Sequence, residues 1–249
     1  LMLAGIRDIL IITTPHEQHL FQSLLADGSQ WGVTFTYATQ PRPEGLPQAF
    51  IIGEQFLNGS PVAMVLGDNI FYGHGLTPLL EQANARTPGA TIFAQRVPDP
   101  ERFGVAEFDK NGKVISLAEK PKSPKSDWAV TGLYFFDNDA VDIAKSLKPS
   151  ARGELEIVDV ENAYLKMGKL YATCLGRGFS WFDTGVYSSL LDAANFIRTI
   201  ETVQSQMVAC PEEIAFAKGW ITADDVMKIA DQYSKNDYGA YLKRLIRSE

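Results

Sequence analysis

Two short stretches of the chain end an apolar run on an aspartate: Val65-Leu66-Gly67-Asp68-Asn69 and Trp181-Phe182-Asp183-Thr184-Gly185. A carboxylate placed where a buried strand ends projects from the sheet edge, where it can meet a cation. Magnesium takes one or two protein carboxylates and fills its remaining positions with water and substrate phosphate oxygens, so Asp68 and Asp183 form a candidate pair. Spacing alone leaves a helix cap or a turn as the ordinary role of either one. Lys120, in Glu119-Lys120-Pro121, is expected in extended backbone ahead of the proline, a posture that suits an ammonium reaching into a cleft. Arg152, in Ser150-Ala151-Arg152-Gly153-Glu154, stands just before an expected helix whose free N–H groups could hold an anion jointly with the guanidinium. A solvated lysine and a surface ion pair are the ordinary alternatives.

Other reactive side chains offer less. His16 and His19 share a helix face without a third ligand, and His74 has no partner in sequence that would give it a proton-transfer role. Cys174 and Cys210 fall in no metal or redox spacing and are expected as small buried hydrophobes. Asp237 and Tyr238, after Asn236, suit the capped start of a last helix.

The elements that must position the candidates follow from periodicity. Residues 6–13, IRDILIIT, form an aliphatic run of the kind found in strands buried on both faces. Pro15 opens a stretch with Leu20, Phe21, Leu24 and Leu25 on one helical face, closed by Gly28. Strands are expected at 33–37 and 62–66, with a helix over 48–56 between them. This alternation predicts a mainly parallel sheet flanked by helices, with ligands gathering where strands end. Asn111-Gly112 predicts a hairpin joining 103–109 to 113–117, an antiparallel insertion. A strand at 128–136, helices at 138–147 and 154–167, and a strand at 170–175 complete the core, and the rest is helical. Residues 1–185 are therefore expected as an α/β core and 186–249 as a helical appendage.

Composition narrows the classes. With 249 residues, 45% hydrophobic and 21% charged, the chain can bury a large core without disordered tracts. A formal charge of −7 disfavours a nucleic-acid groove, which needs clustered cations to displace counterions. No apolar run reaches the roughly 18 residues that cross a bilayer, and Arg7 and Asp8 come too early for a signal peptide, so a cytoplasmic protein is expected.

Six segments occur together in order: LGDNIFYGH (66–74), ERFGVAEFD (101–109), EKP (119–121), AVTGLYFFD (129–137), ARGELEI (151–157) and WFDTG (181–185). With CPEEIAF (210–216) and SKNDYGAYL (234–242), the chain resembles the bacterial glucose-1-phosphate thymidylyltransferase family of sugar-phosphate nucleotidyltransferases along its whole length. The resemblance implies a Rossmann-like nucleotidyltransferase fold and a magnesium-dependent reaction of dTTP with glucose 1-phosphate, giving dTDP-glucose and pyrophosphate, the first step toward dTDP-rhamnose. By matched motif it implies that Gln40 and Gly45 contact the base and that Asp68 and Asp183 hold Mg2+. It puts Gly104, Glu119, Val130 and Tyr134 at the sugar, and Lys120 and Arg152 at its phosphate. It also implies a homotetramer and feedback by dTDP-rhamnose near the helical tail. Two departures stand out. Phe103 replaces a common Tyr, and the family's first strand and glycine-rich loop, of the kind GGxGTRLxP, are absent. A chain lacking that loop is expected to be short of donors to the triphosphate and inactive as written. A noncatalytic nucleotide-sugar-binding module is the competing expectation, and a self-associating scaffold built on the helical tail is a third.

Overall fold

A nine-residue strand rich in aromatic and β-branched residues runs through the centre of the sheet, and the other elements are best placed from it. The computed structural model describes residues 1–247. In chain order it contains β1 (Asp8–Thr13), α1 (Gln18–Leu25), β2 (Thr34–Thr39), α2 (Gln48–Ile52), α3 (Glu54–Leu57), β3 (Val62–Val65), β4 (Asn69–Gly73), α4 (Leu76–Ala85), β5 (Ala90–Arg96), β6 (Gly104–Phe108), β7 (Val114–Glu119) and β8 (Trp128–Phe136), the central strand. There follow α5 (Ala140–Ser146), α6 (Ile157–Lys166), β9 (Leu170–Leu175), β10 (Phe179–Asp183), α7 (Tyr187–Gln204), α8 (Pro211–Ala217), α9 (Ala223–Gln232) and α10 (Asp237–Arg247).

On one edge β8 pairs antiparallel with β5, which pairs parallel with β9. Its other edge is shared end to end. Val105 of β6 pairs with Ala129, and β3 pairs with Leu133 to Phe136. The β6–β7 hairpin turns at Asn111-Gly112, with Gly112 at φ +78°. β1 and β2 form a separate parallel pair, and β4 and β10 an antiparallel one. The α/β class, the hairpin insertion and the helical end are as expected. Pairing is more mixed than the strand–helix alternation suggests, with parallel strand pairs, among the described residues, at β1–β2 and β5–β9 and a single parallel bridge between Gly45 and Leu155. The reason is that β8 arrives from the hairpin insertion rather than through a helical crossover, so it enters antiparallel to both β3 and β5.

Alternation along β8 sorts the core onto two faces. Val130, Tyr134 and Phe136 join Phe50, Ala140, Ile157, Val160 and Tyr164 from α2, α5 and α6. Leu133 and Phe135 face Leu76, Leu80 and Ala83 of α4. Helices therefore cover both faces of the sheet.

Several expectations change. β1 is only half-buried, because among the described residues it pairs with β2 alone. The apolar face of α1 is not covered: Leu20 is 57% and Leu24 75% exposed. Gly53 divides the expected 48–56 helix into α2 and α3. β4, β5, β10 and α4 did not emerge from the sequence patterns. Cys174 is exposed on β9, whereas Cys210 is buried as expected. Asn236 caps the last helix by accepting from Gly239 N–H at 3.1 Å.

Candidate active site

The two aspartates, 115 positions apart in the sequence, converge because β4 and β10 pair in a register that sets Asp183 opposite Asn69. Beyond the pair, Thr184 clips the two strand ends together, since its backbone N–H and Oγ1 both donate to the Asp68 carbonyl, at 2.9 and 2.8 Å. Ser189 Oγ donates to the Asp183 carbonyl at 2.5 Å. A Cβ placed on Gly185 would stand 3.1 Å from Asp183 Oδ1 and 3.6 Å from Asp68 Oδ2. One point therefore lies close to an oxygen of each carboxylate. Two hard oxygen donors brought together in this way fit a magnesium ion that also binds phosphate, although Asp183 Oδ1 also accepts from the Gly185 N–H at 3.1 Å. Among the described residues no cluster of three or more His, Cys, Asp or Glu could hold a metal, so substrate phosphate and water would supply the remaining ligands.

The positions expected to receive the sugar gather on the adjoining face of β8. Val130, Gly132 and Tyr134 point to one side, and β6–β7 pairing sets Gly104 opposite Glu119. A Cβ at Gly104 would lie 3.1 Å from Val158 of α6, 3.6 Å from Glu119 Oε2 and 3.7 Å from Val130 Cβ. Phe103 packs on Trp181 with ring centroids 5.0 Å apart, which joins this group to the aspartates. Tyr134 is buried, and burial pushes its hydroxyl well above its usual titration range, with further upward pressure from Glu161, Glu119 and Asp183.

Lys120 and Arg152 meet at Glu119. Lys120 Nζ is 3.9 Å and Arg152 Nη2 3.4 Å from Glu119 Oε1. Burial raises the Glu119 carboxyl, against the lowering pull of these two cations. Arg152 is also held in a fork by Glu156, with Nε 3.0 Å from Oε1 and Nη2 2.6 Å from Oε2. This bond lifts the guanidinium further and lowers the Glu156 carboxyl. The Nη1 edge of Arg152 makes no hydrogen bond among the described residues, so it is the side available to a phosphate.

Two sequence expectations about these cations need correction. Lys120 is not extended. Its φ is +41° and its N–H donates to the Phe103 carbonyl at 3.0 Å, which closes the hairpin's end in the left-handed region. Such a conformation costs a non-glycine residue about 1–3 kcal/mol and is concentrated at functional sites. Arg152 does not sit at a helix start, because α6 begins at Ile157. Nearby N–H groups are already taken: Arg152 N–H by Ser150 Oγ, Gly153 N–H by Ser150 O and Leu155 N–H by Glu44 O.

Gln40 and Gly45 lie beside this loop. Gln40 Nε2 donates to Gly45 O and Gln48 Oε1, and Gly45 forms a bridge with Leu155. A Cβ at Gly45 would stand 2.0 Å from the Leu155 carbonyl oxygen, so only glycine permits the contact.

The structure thus brings all ten predicted residues into two adjoining groups and one linked loop. His16 and His19 take no part. His74 instead lines a cleft of about 950 Å³ bounded also by Leu3, Phe71, Gln204, Met207 and Pro211, which contains none of the ten. Sequence reasoning did not single out Asn69, Gly132 or Glu156. Asn69 lay within the quoted motif, and a lone glycine inside an apolar strand signals close approach by another group.

The chain belongs to the nucleotidyl transferase family, whose model matches residues 1–200. Within that family it is similar to glucose-1-phosphate thymidylyltransferases. It is 60% identical to the one from Xanthomonas campestris pv. campestris strain B100 over 99% of this chain and 84% of that protein. It is 51% identical to the one from Mycolicibacterium smegmatis over 100% of this chain and 86% of that protein. A Bacillus anthracis crystal structure carrying the same enzyme name, in complex with a sucrose, superposes with TM-score 0.72 at 42% identity, covering 78% of each chain. A UDP-glucose pyrophosphorylase complexed with UDP-glucose shares the fold, with TM-score 0.65 at 22% identity over 80% of this chain and 83% of that one.

Proposed function

We propose that this nucleotidyltransferase joins dTTP and glucose 1-phosphate to give dTDP-glucose and pyrophosphate. The observation that carries the reading is the convergence of Asp68 and Asp183, an oxygen of each lying within 3.6 Å of a Cβ placed on Gly185, at the end of the β4–β10 pair. The attacking atom is a phosphate oxygen of glucose 1-phosphate, whose second pKa of about 6 leaves it mostly dianionic at pH 7. It bonds to the α-phosphorus of dTTP as the bond to pyrophosphate breaks, so no general base is required, in keeping with the absence of a histidine from the group. Asp68 and Asp183 would hold Mg2+, which supplies charge neutralisation between two anions.

The chain's own residues supply position. Gln40 and Gly45 meet the base, Gly104, Glu119, Val130 and Tyr134 receive the glucose, and Lys120 and Arg152 grip its phosphate. Residues 1–185 carry the chemistry and 186–249 belong to the helical appendage, of which 248 and 249 lie outside the described residues. We further infer a cytoplasmic homotetramer that opens a route to dTDP-rhamnose and is inhibited by that product at a second site, a reading supported by the separate cleft beside the helical end.

Pyrophosphate release from dTTP and glucose 1-phosphate tests the proposal. It is expected only with a divalent metal, and Asp68→Ala or Asp183→Ala is expected to lower turnover by about 100-fold or more. Undiminished turnover in either variant would remove the metal role.

A further inference from the structure

Asn69 stands between the two groups of the site and has no role in the reaction as described so far. Its side-chain oxygen Oδ1 accepts from the Trp181 indole N–H at 2.6 Å and from the Gly132 backbone N–H at 3.0 Å. An amide has one acceptor end and one donor end. Two donors converging on the oxygen therefore fix which way the amide faces, and its Nδ2 donates to Asp68 Oδ1 at 2.9 Å. The strand that carries Val130 and Tyr134 makes room for this arrangement, since a Cβ at Gly132 would stand 2.6 Å from Asn69 Oδ1.

The consequence falls on Asp68. Its Oδ1 is held by the amide, while Oδ2 lies on the Gly185 side, toward Asp183 Oδ1, which itself accepts from the Gly185 N–H at 3.1 Å. Resting on the metal reading above, we propose that Asn69 is a positioning residue that fixes the Asp68 carboxylate so that Oδ2 is presented to the cation. Trp181 and the Gly132 backbone lock the amide in turn, so the orientation of a metal ligand is tied to the strand that receives the sugar. Without the amide, the Asp68 carboxylate can rotate about its terminal torsion, a broad and weakly restrained one. Partners of this kind are worth about 10–100-fold in metal affinity.

Mn2+ serves as the probe, titrated calorimetrically into the enzyme saturated with dTDP-glucose, with Mg2+ activation of turnover followed in parallel. Asn69→Ala is expected to weaken Mn2+ binding about tenfold and to raise the half-activating Mg2+ concentration equally, with little change in KM for dTTP. Trp181→Phe, which removes one of the two donors that lock the amide, is expected to act in the same direction by a few-fold, and it stands as the test if Asn69→Ala does not fold. Wild-type Mn2+ affinity in the variants overturns the inference, even if KM for glucose 1-phosphate rises, since that pattern marks a direct sugar contact instead. If Asp68→Ala also leaves Mn2+ binding intact, the metal reading itself fails. If Asp68→Ala abolishes binding while the Asn69 and Trp181 variants keep it, only the role of Asn69 fails.

Discussion

Glu161 of α6 is fully buried and neither carboxylate oxygen has a hydrogen-bond partner among the described residues. Burial, with Glu119 adding to it, raises its folded-state pKa well above the ordinary value. Below the unfolded pKa of about 4.3 the group is neutral in both states. Above that pH the unfolded chain releases a proton that the folded protein keeps, so stability falls as pH rises toward the folded pKa. Glu161→Leu is accordingly expected to raise the melting temperature, with a gap over wild type that is larger at pH 7 than at pH 5, as thermal unfolding at the two values would show. Arg152→Lys, which cannot reproduce the fork to Glu156, is expected to raise KM for glucose 1-phosphate about tenfold with little change for dTTP. Gly45→Ala forces the Leu155 backbone aside and should impair both substrates together, because the Gln40–Gly45 loop, proposed to meet the base, and the Arg152 loop share that contact. Steady-state kinetics with each substrate varied in turn distinguishes these patterns.

At the scale of elements, one buried carboxylate helps fasten the helical end to the α/β core. Glu212 of α8 accepts from Trp31 Nε1 at 2.9 Å, from Tyr238 OH and from Cys210 Sγ at 3.5 Å. Around it Cys210, Ala215, Ile221, Val226, Ala230, Tyr241 and Leu242 form a core that Met2 and Trp31 also join. Trp31→Phe keeps an aromatic ring but loses the indole N–H and leaves the carboxylate one donor short, at a cost of about 1–2 kcal/mol. A fall in melting temperature of about 2–8 °C should follow. The start of α9 is closed by a capping box, with Thr222 Oγ1 accepting from Asp225 N–H and the Asp225 carboxylate accepting from Thr222 N–H. Thr222→Ala should cost about 1 kcal/mol in the same assay.

For the whole molecule, the long helix α7 is the feature left open. Among its described residues only Ala193 is buried, while Tyr187 is 94%, Leu191 61% and Val203 77% exposed. Exposed apolar side chains aligned on one element mark a contact surface more often than solvated decoration. If the proposed homo-oligomer uses this helix, replacing Leu190 and Leu191 together by Asp should lower the mass measured by light scattering while leaving far-ultraviolet circular dichroism unchanged. An unaltered mass would place the association elsewhere.

How much of this was legible in the sequence depends on the range of the interactions involved. The ten candidate site residues came from the ordered motifs and the family resemblance they carry, whereas local signals carried the hairpin at Asn111-Gly112, the strand over 128–136 and the start of the last helix. These rest on turn chemistry, alternation and capping, which act over a few residues. What tertiary structure decided was longer in range. It set Asp183 opposite Asn69 through a strand pairing that no local pattern announces, and turned Lys120 into a left-handed conformation by bonding it to Phe103. It also made β8 antiparallel to its neighbours and chose which oxygen of Asp68 faces Asp183. A sequence shows which side chains are able to hold a cation or a phosphate. Their mutual distances arise only when strands remote in the chain share hydrogen bonds and a buried face.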